Sequence, residues 1–147
     1  MKDVHLVVGV AAIAVNAVAT LAGLWCWRAA SSAPWFWRVL RTGQALVVLQ
    51  AALGGVLLAI GKKPHHLHVL YGLLPLLIAF LAEQFRISSA QMILDKHGLQ
   101  SAQEVGGLPQ EEQHGLVTAI IQRELGVMTL GALVVVVLLA RAAQTAG

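Results

Sequence analysis

Apolar residues fall in four long runs separated by polar breaks: 4–24, 39–60, roughly 67–85, and 125–140. A helix needs about 20 mainly apolar residues to cross the hydrocarbon core of a bilayer. The fourth run is short, and it gains length from the turn before it, where Arg123 and Glu124 can snorkel toward the headgroups. The pattern predicts four membrane helices, roughly 4–27, 39–61, 66–96 and 109–142. The fold class it predicts is all-α: a single-domain integral membrane four-helix bundle with a helical cytoplasmic extension between helices three and four.

The breaks set the topology. Residues 29–38 carry Pro34, and residues 61–66 are few and basic. Such short connections join antiparallel neighbours. Residues 86–123 are polar yet helical in pattern. Ser88–Lys96 continues the third helix up to Gly98, and Gly106-Gly107 is a break. Pro109 then opens a new helix with Glu111 and Glu112 in its first turn, where the macrodipole favours acids. The segment is expected to form an extramembrane helical hairpin.

Basic residues orient the chain. Arg28, Arg38, Arg41, Arg86, Lys96 and Arg123 fall on the hairpin side, against Lys2, Lys62, Lys63 and Arg141 on the other. That excess predicts a multi-pass protein of the plasma membrane with both termini outside and the long loop in the cytoplasm. Trp25, Trp27, Trp35 and Trp37 would form an aromatic belt at the cytoplasmic face. The first run exceeds the roughly 7–15 residues of a signal-peptide core, and Asp3 offsets Lys2, so a retained helix is expected.

Composition agrees with a bilayer and narrows the chemistry. The 147 residues are 58% hydrophobic and 12% charged, with a mean hydropathy of +0.75. A soluble domain has about a quarter charged residues. The net charge of +3 sits at helix ends as topology signals, which argues against a nucleic-acid partner. A single Cys26 excludes an internal disulfide and any C-x-x-C redox pair. No nucleophile–base pair, phosphate loop or pair of carboxylates at a pocket is present to support ordinary enzyme chemistry; an enzyme on this chain would be a membrane oxidoreductase.

The histidines carry the candidate chemistry. The first helix opens His5-Leu-Val-Val-Gly9 and the third opens His68-Val-Leu-Tyr-Gly72. In each H-x-x-x-G the Gly lies one turn deeper on the face of its His. The first face continues through Ala12, Asn16, Ala19 and Gly23, and the third through Pro75, Ala79 and Ala82. Helices one and three run in the same direction, so the two imidazoles share one depth. Two imidazoles on facing helices are what an iron porphyrin needs. On that reading His5 and His68 bind haem b, Gly9 and Gly72 leave room for the porphyrin edge, and Lys62 and Lys63, with Lys2, face the propionates. Gln44, Val47, Ala51, Gly54 and Gly55 of the second helix would wall the pocket. Small residues at this spacing are also the ordinary packing signature of membrane helices.

Leu49-Gln50-Ala-Ala-Leu-Gly54-Gly55-Val-Leu-Leu, followed after a short loop by Leu67-His68, resembles the heme A synthase family, and so does Asp3-Val4-His5. The resemblance covers roughly residues 3–82 and implies one four-helix half of that family's fold. It implies that His5 and His68 are paired axial ligands of one haem. Where the family has a Glu three residues before the ligand, this chain has Lys2, and where it has a basic residue after it, this chain has Leu6. Haem binding and architecture are therefore carried over, and the synthase reaction is not. The function expected is electron transfer or haem handling, with a homodimer or a membrane redox partner left open.

Two alternatives remain at this point. One is a cofactor-free assembly or accessory subunit whose hairpin binds a partner. The other is a copper or zinc protein using His65, His66 and His68. Asn16 and Gln50 are expected to bond between helices, Glu83 to pair with Arg86, and Glu124 with Arg123 or Arg86. His97 and His114 are expected to be solvated or to cap helices in the hairpin.

Overall fold

The structure, a computed structural model, describes residues 2–145. It is helical throughout, with α1 over Lys2–Arg28, α2 over Pro34–Ala59, α3 over His66–Lys96, α4 over Ala102–Val105 and α5 over Gln110–Gln144. α1, α2, α3 and α5 are long and apolar enough to cross a membrane. α2 begins five residues before the expected start at 39, because Pro34 sits in its first turn with φ already set for a helix. α4 is a single turn that the sequence pattern did not predict.

The four long helices form a ring. α1 packs on α2 and α5, and α3 packs on α5 and, most lightly, on α2. α1 and α3 thus lie across the bundle from each other. Helix approach relies on small residues, as expected where lipid supplies no hydrophobic drive between helices. Gly43 of α2 accepts the buried Asn16 of α1, and a side chain at Gly23 would collide with Phe36 and Thr129. Around these contacts Ala19, Cys26, Phe36, Leu40, Leu125 and Met128 form one core cluster, and Ala12, Val47, Val135 and Leu139 a second. Asn16 does not bridge helices as expected. Its Nδ2 donates to Ala12 O of its own helix at 2.8 Å. The outer surface is apolar, with Leu6, Val10, Leu21, Leu73, Leu77, Phe80 and Val137 exposed, as suits a bilayer.

Three helix ends close in one way. Ser31 N–H donates to Cys26 O, Lys62 N–H to Leu57 O, and Leu99 N–H to Leu94 O, each reaching back five residues. This closure places the preceding residue in the left-handed region. Gly61 and Gly98 fill that role with φ of 84° and 71°, while Ala30 fills it at 49°. Past the four-helix ring, α3, α4 and α5 share a small core of Leu94, Val105 and Leu116, flanked by Ile93, Leu99, Leu108 and Ile120. Gln113 Nε2 braces the connection by donating to Leu108 O at 2.7 Å.

Candidate functional site

The first turns of α1 and α3 and the last turns of α2 and α5 meet at one end of the bundle. Pro64 precedes α3, and His65 caps it by accepting from Leu67 N–H at 3.3 Å. One turn on, the His68 ring faces that of His5, with centroids 6.0 Å apart and planes at 66°. The bundle thus brings together the two histidines from opposite helices.

Their hydrogen bonds differ. His68 Nδ1 lies 2.8 Å from Ala142 O in the last turn of α5, where carbonyls run out of intrahelical partners. A carbonyl only accepts, so the proton is assigned to Nδ1 and the lone pair to Nε2. A backbone carbonyl fixing a ligand histidine in this way is a recurring support of metal sites. His5 Nε2 lies 3.2 Å from Gln50 Nε2. An amide nitrogen only donates, so Nε2 accepts and the His5 proton sits on Nδ1. That Nδ1, and Gln50 Oε1, are closed off from solvent and have no hydrogen-bond partner.

The surrounding residues depart in part from expectation. Gly9 gives its space to Gln50, since a Cβ there would come within 2.8 Å of Gln50 Nε2; it holds no room for a porphyrin edge. Gly72 is open, and a Cβ there would meet nothing within 4 Å. Gly55 is equally open, and Gly54 lies against His5. Of the second helix's other expected wall residues, Val47 is core and Gln44 belongs to the far end. Lys62 and Lys63 are exposed at the histidine end, as are Lys2 and Arg141, and among the described residues none of the four forms an ion pair.

The copper or zinc cluster is not assembled. His65 is occupied as a cap, its ring stacks on His66 at 4.2 Å, and His68 turns inward to α5. Among the described residues no three His, Cys, Asp or Glu side chains converge to hold a metal ion.

The opposite membrane edge holds a charged chain. Arg41 of α2 pairs in two-pronged fashion with Glu83 of α3, and Gln44 Nε2 donates to Glu83 Oε1 at 3.0 Å. Arg86 Nε donates to Glu83 Oε2 at 3.2 Å and its Nη1 to Glu124 of α5 at 3.3 Å. The Arg86 guanidinium also lies 5.5 Å from the centre of the Trp37 ring. The Glu83–Arg86 pair and the Arg86–Glu124 pair match expectation. Arg41 and Gln44 are additions, signalled only by their shared stripe on the second helix. In the extension, His97 Nδ1 bonds Ile93 O at 2.8 Å as the residue ending α3, and His114 is exposed.

Comparison of this chain with family models, with curated proteins and with solved structures gives no match.

Proposed function

We propose that this membrane protein binds haem b through His5 and His68 and serves electron transfer or haem handling. The observation that carries the reading is the pair of imidazoles brought together from opposite helices, edge-on with ring centres 6.0 Å apart. Such a pair could together hold a haem iron. Further support comes from the donor chemistry. Ala142 O fixes the His68 tautomer that leaves Nε2 free as a ligand. The resemblance to heme A synthases around Gln50, Gly54, Gly55 and His68 points the same way.

Each residue then has a stated task. His68 presents Nε2 as a ligand while Ala142 holds its ring. His5 supplies the second nitrogen once Gln50 releases it. Lys62 and Lys63 stand at the same end, in water, where they favour carboxylates. A haem with two histidine ligands supplies one-electron transfer and leaves no open coordination position for substrate chemistry. Six basic residues against four would put the histidine end outside a plasma membrane and the extension in the cytoplasm.

The test is an absorption spectrum of purified protein, oxidised and then reduced with dithionite. A Soret band that moves on reduction, with sharp α and β bands, is expected, and His68→Ala should remove it. Colourless protein that takes up no haem when supplied would end the reading. The separate core of the extension, with Leu94, Val105 and Leu116, favours a second reading in which the chain is a cofactor-free accessory subunit. A stoichiometric partner retained by the full chain and lost in Leu116→Asp would support it.

A further inference from the structure

The hydrogen bond that fixes His68 ends on a shared acceptor. Among the described residues, three donors lie within reach of Ala142 O: His68 Nδ1 at 2.8 Å, the Thr145 hydroxyl at 3.0 Å and the Thr145 backbone N–H at 3.1 Å. A carbonyl oxygen has two lone pairs. Three donors therefore divide two places, and a closer hold by one weakens the others. Ala142 is buried and Thr145 is half-buried, so the division is set by these groups more than by bulk water.

Thr145 has a second acceptor at hand. Its N–H lies 3.2 Å from Arg141 O, and its Oγ1 lies 3.2 Å from the same oxygen. The shared N–H is the three-centre bond common at helix ends. The hydroxyl differs, because it carries one hydrogen on a free rotor. Turned to Ala142 O, it draws on the carbonyl that holds His68. Turned to Arg141 O, it leaves that carbonyl to the imidazole. Ile60 and His97, which cap the ends of α2 and α3, bring no hydroxyl to theirs. The division also reaches the other ring nitrogen. An imidazole donating from Nδ1 gains electron density at Nε2, and a stronger bond gives a larger gain. Nε2 is the nitrogen that the Ala142 bond leaves with its lone pair.

We infer that Thr145 is a positioning residue for His68: its hydroxyl, by sharing Ala142 O, sets how firmly the ring is held and how strongly Nε2 donates. That Nε2 donates to a haem iron rests on the haem reading; the sharing of the carbonyl does not.

The experiment uses the full chain in phosphatidylcholine nanodiscs, without haem, with isotope-labelled histidine nitrogens read by nuclear magnetic resonance. The shifts are read through the carbon-bound ring protons, which do not exchange with water. The His68 signals are identified by their loss in His68→Gln. Thr145→Val keeps the outline of the side chain and removes the hydroxyl, while Thr145→Ser keeps the hydroxyl; circular dichroism confirms helix content in both. In Thr145→Val the His68 Nδ1 nitrogen should move downfield, the mark of a stronger hydrogen bond. Thr145→Ser should leave it near the wild-type position. An unchanged or upfield Nδ1 in Thr145→Val would overturn the inference, and so would Thr145→Ser behaving as Thr145→Val does. A second arm adds haem. In Thr145→Val the affinity for ferric haem relative to ferrous haem should rise about twofold, less than the tenfold or more at stake when such a partner is lost outright. A ratio equal to that of the wild type would overturn the effect on Nε2. Wild-type protein that takes up no haem while Nδ1 responds as expected would remove the haem and keep the sharing.

Discussion

The two membrane edges of this bundle handle polar groups in opposite ways. At one edge Glu83, Arg86, Glu124, Arg41 and Gln44 answer one another, and the Glu83 carboxylate alone accepts from three side chains. At the other, His5 Nδ1 and Gln50 Oε1 are buried with nothing to bond. A polar group left unpaired in a low-dielectric site costs about 1–3 kcal/mol. A cluster that is satisfied within the fold is explained by the fold, as a clamp between helices. A cluster that is left short of partners calls for something else to complete it. That contrast makes the histidine edge, rather than the charged cluster, the candidate site.

Four substitutions press on this contrast, in falling order of effect. His68→Ala should abolish the haem spectrum outright. Glu83→Ala removes the acceptor shared by Arg41, Gln44 and Arg86, leaving Arg41 only Gln44 and Arg86 only Glu124, and should lower unfolding stability in detergent by about 2 kcal/mol, charge-assisted hydrogen bonds being worth about 1.5–3 kcal/mol each before discount for partial exposure. A stability change below half a kcal/mol would show that the cluster is no clamp. Gln50→Ala should act in the reverse sense at the other edge: it frees His5 Nε2, and haem affinity by titration should rise about fivefold, the equivalent of one ordinary hydrogen bond of about 1 kcal/mol. Weaker affinity would make Gln50 a supporting residue rather than a competitor. The smallest effect belongs to the helix ends. Gly61 closes α2 at the histidine edge, while Ala30 closes α1 at the charged edge with φ of 49°. Ala30→Gly should raise stability by about 0.5–1 kcal/mol in the same melts, since a left-handed residue with a side chain is strained.

The bundle was legible because hydrocarbon length is written directly as run length: all four spans follow from apolar runs and their breaks. The common depth of His5 and His68 was legible too, since parallel helices that open with the same motif start at the same face. Helix rotation and spacing were not. The two H-x-x-x-G turns are identical as text, yet Gly9 is filled by Gln50 and Gly72 stands open, because α1 lies close against α2 and α3 does not. The partner of His68 is a backbone carbonyl, which any residue at position 142 would provide, so no side chain announced it. Gln44 was expected at the histidine pocket, but it lies six residues from Gln50, on the stripe of Arg41, which sends it to Glu83. The early start of α2 was signalled by Pro34 and obscured by the polar and aromatic residues that follow it.

α3 and α5 run unbroken from the histidine end into the extension, over 31 and 35 residues. At 1.5 Å per residue they are rods of about 46 and 52 Å, each longer than the hydrocarbon core by a third or more. They are bound to each other near Glu83 and Glu124, partway along, by Arg86. Ties recur along the pair: the Leu94–Leu116 core in the extension, Arg86 partway along, and the His68–Ala142 hydrogen bond at the far end. The imidazole pair and the extension are thus opposite ends of one continuous two-helix splint.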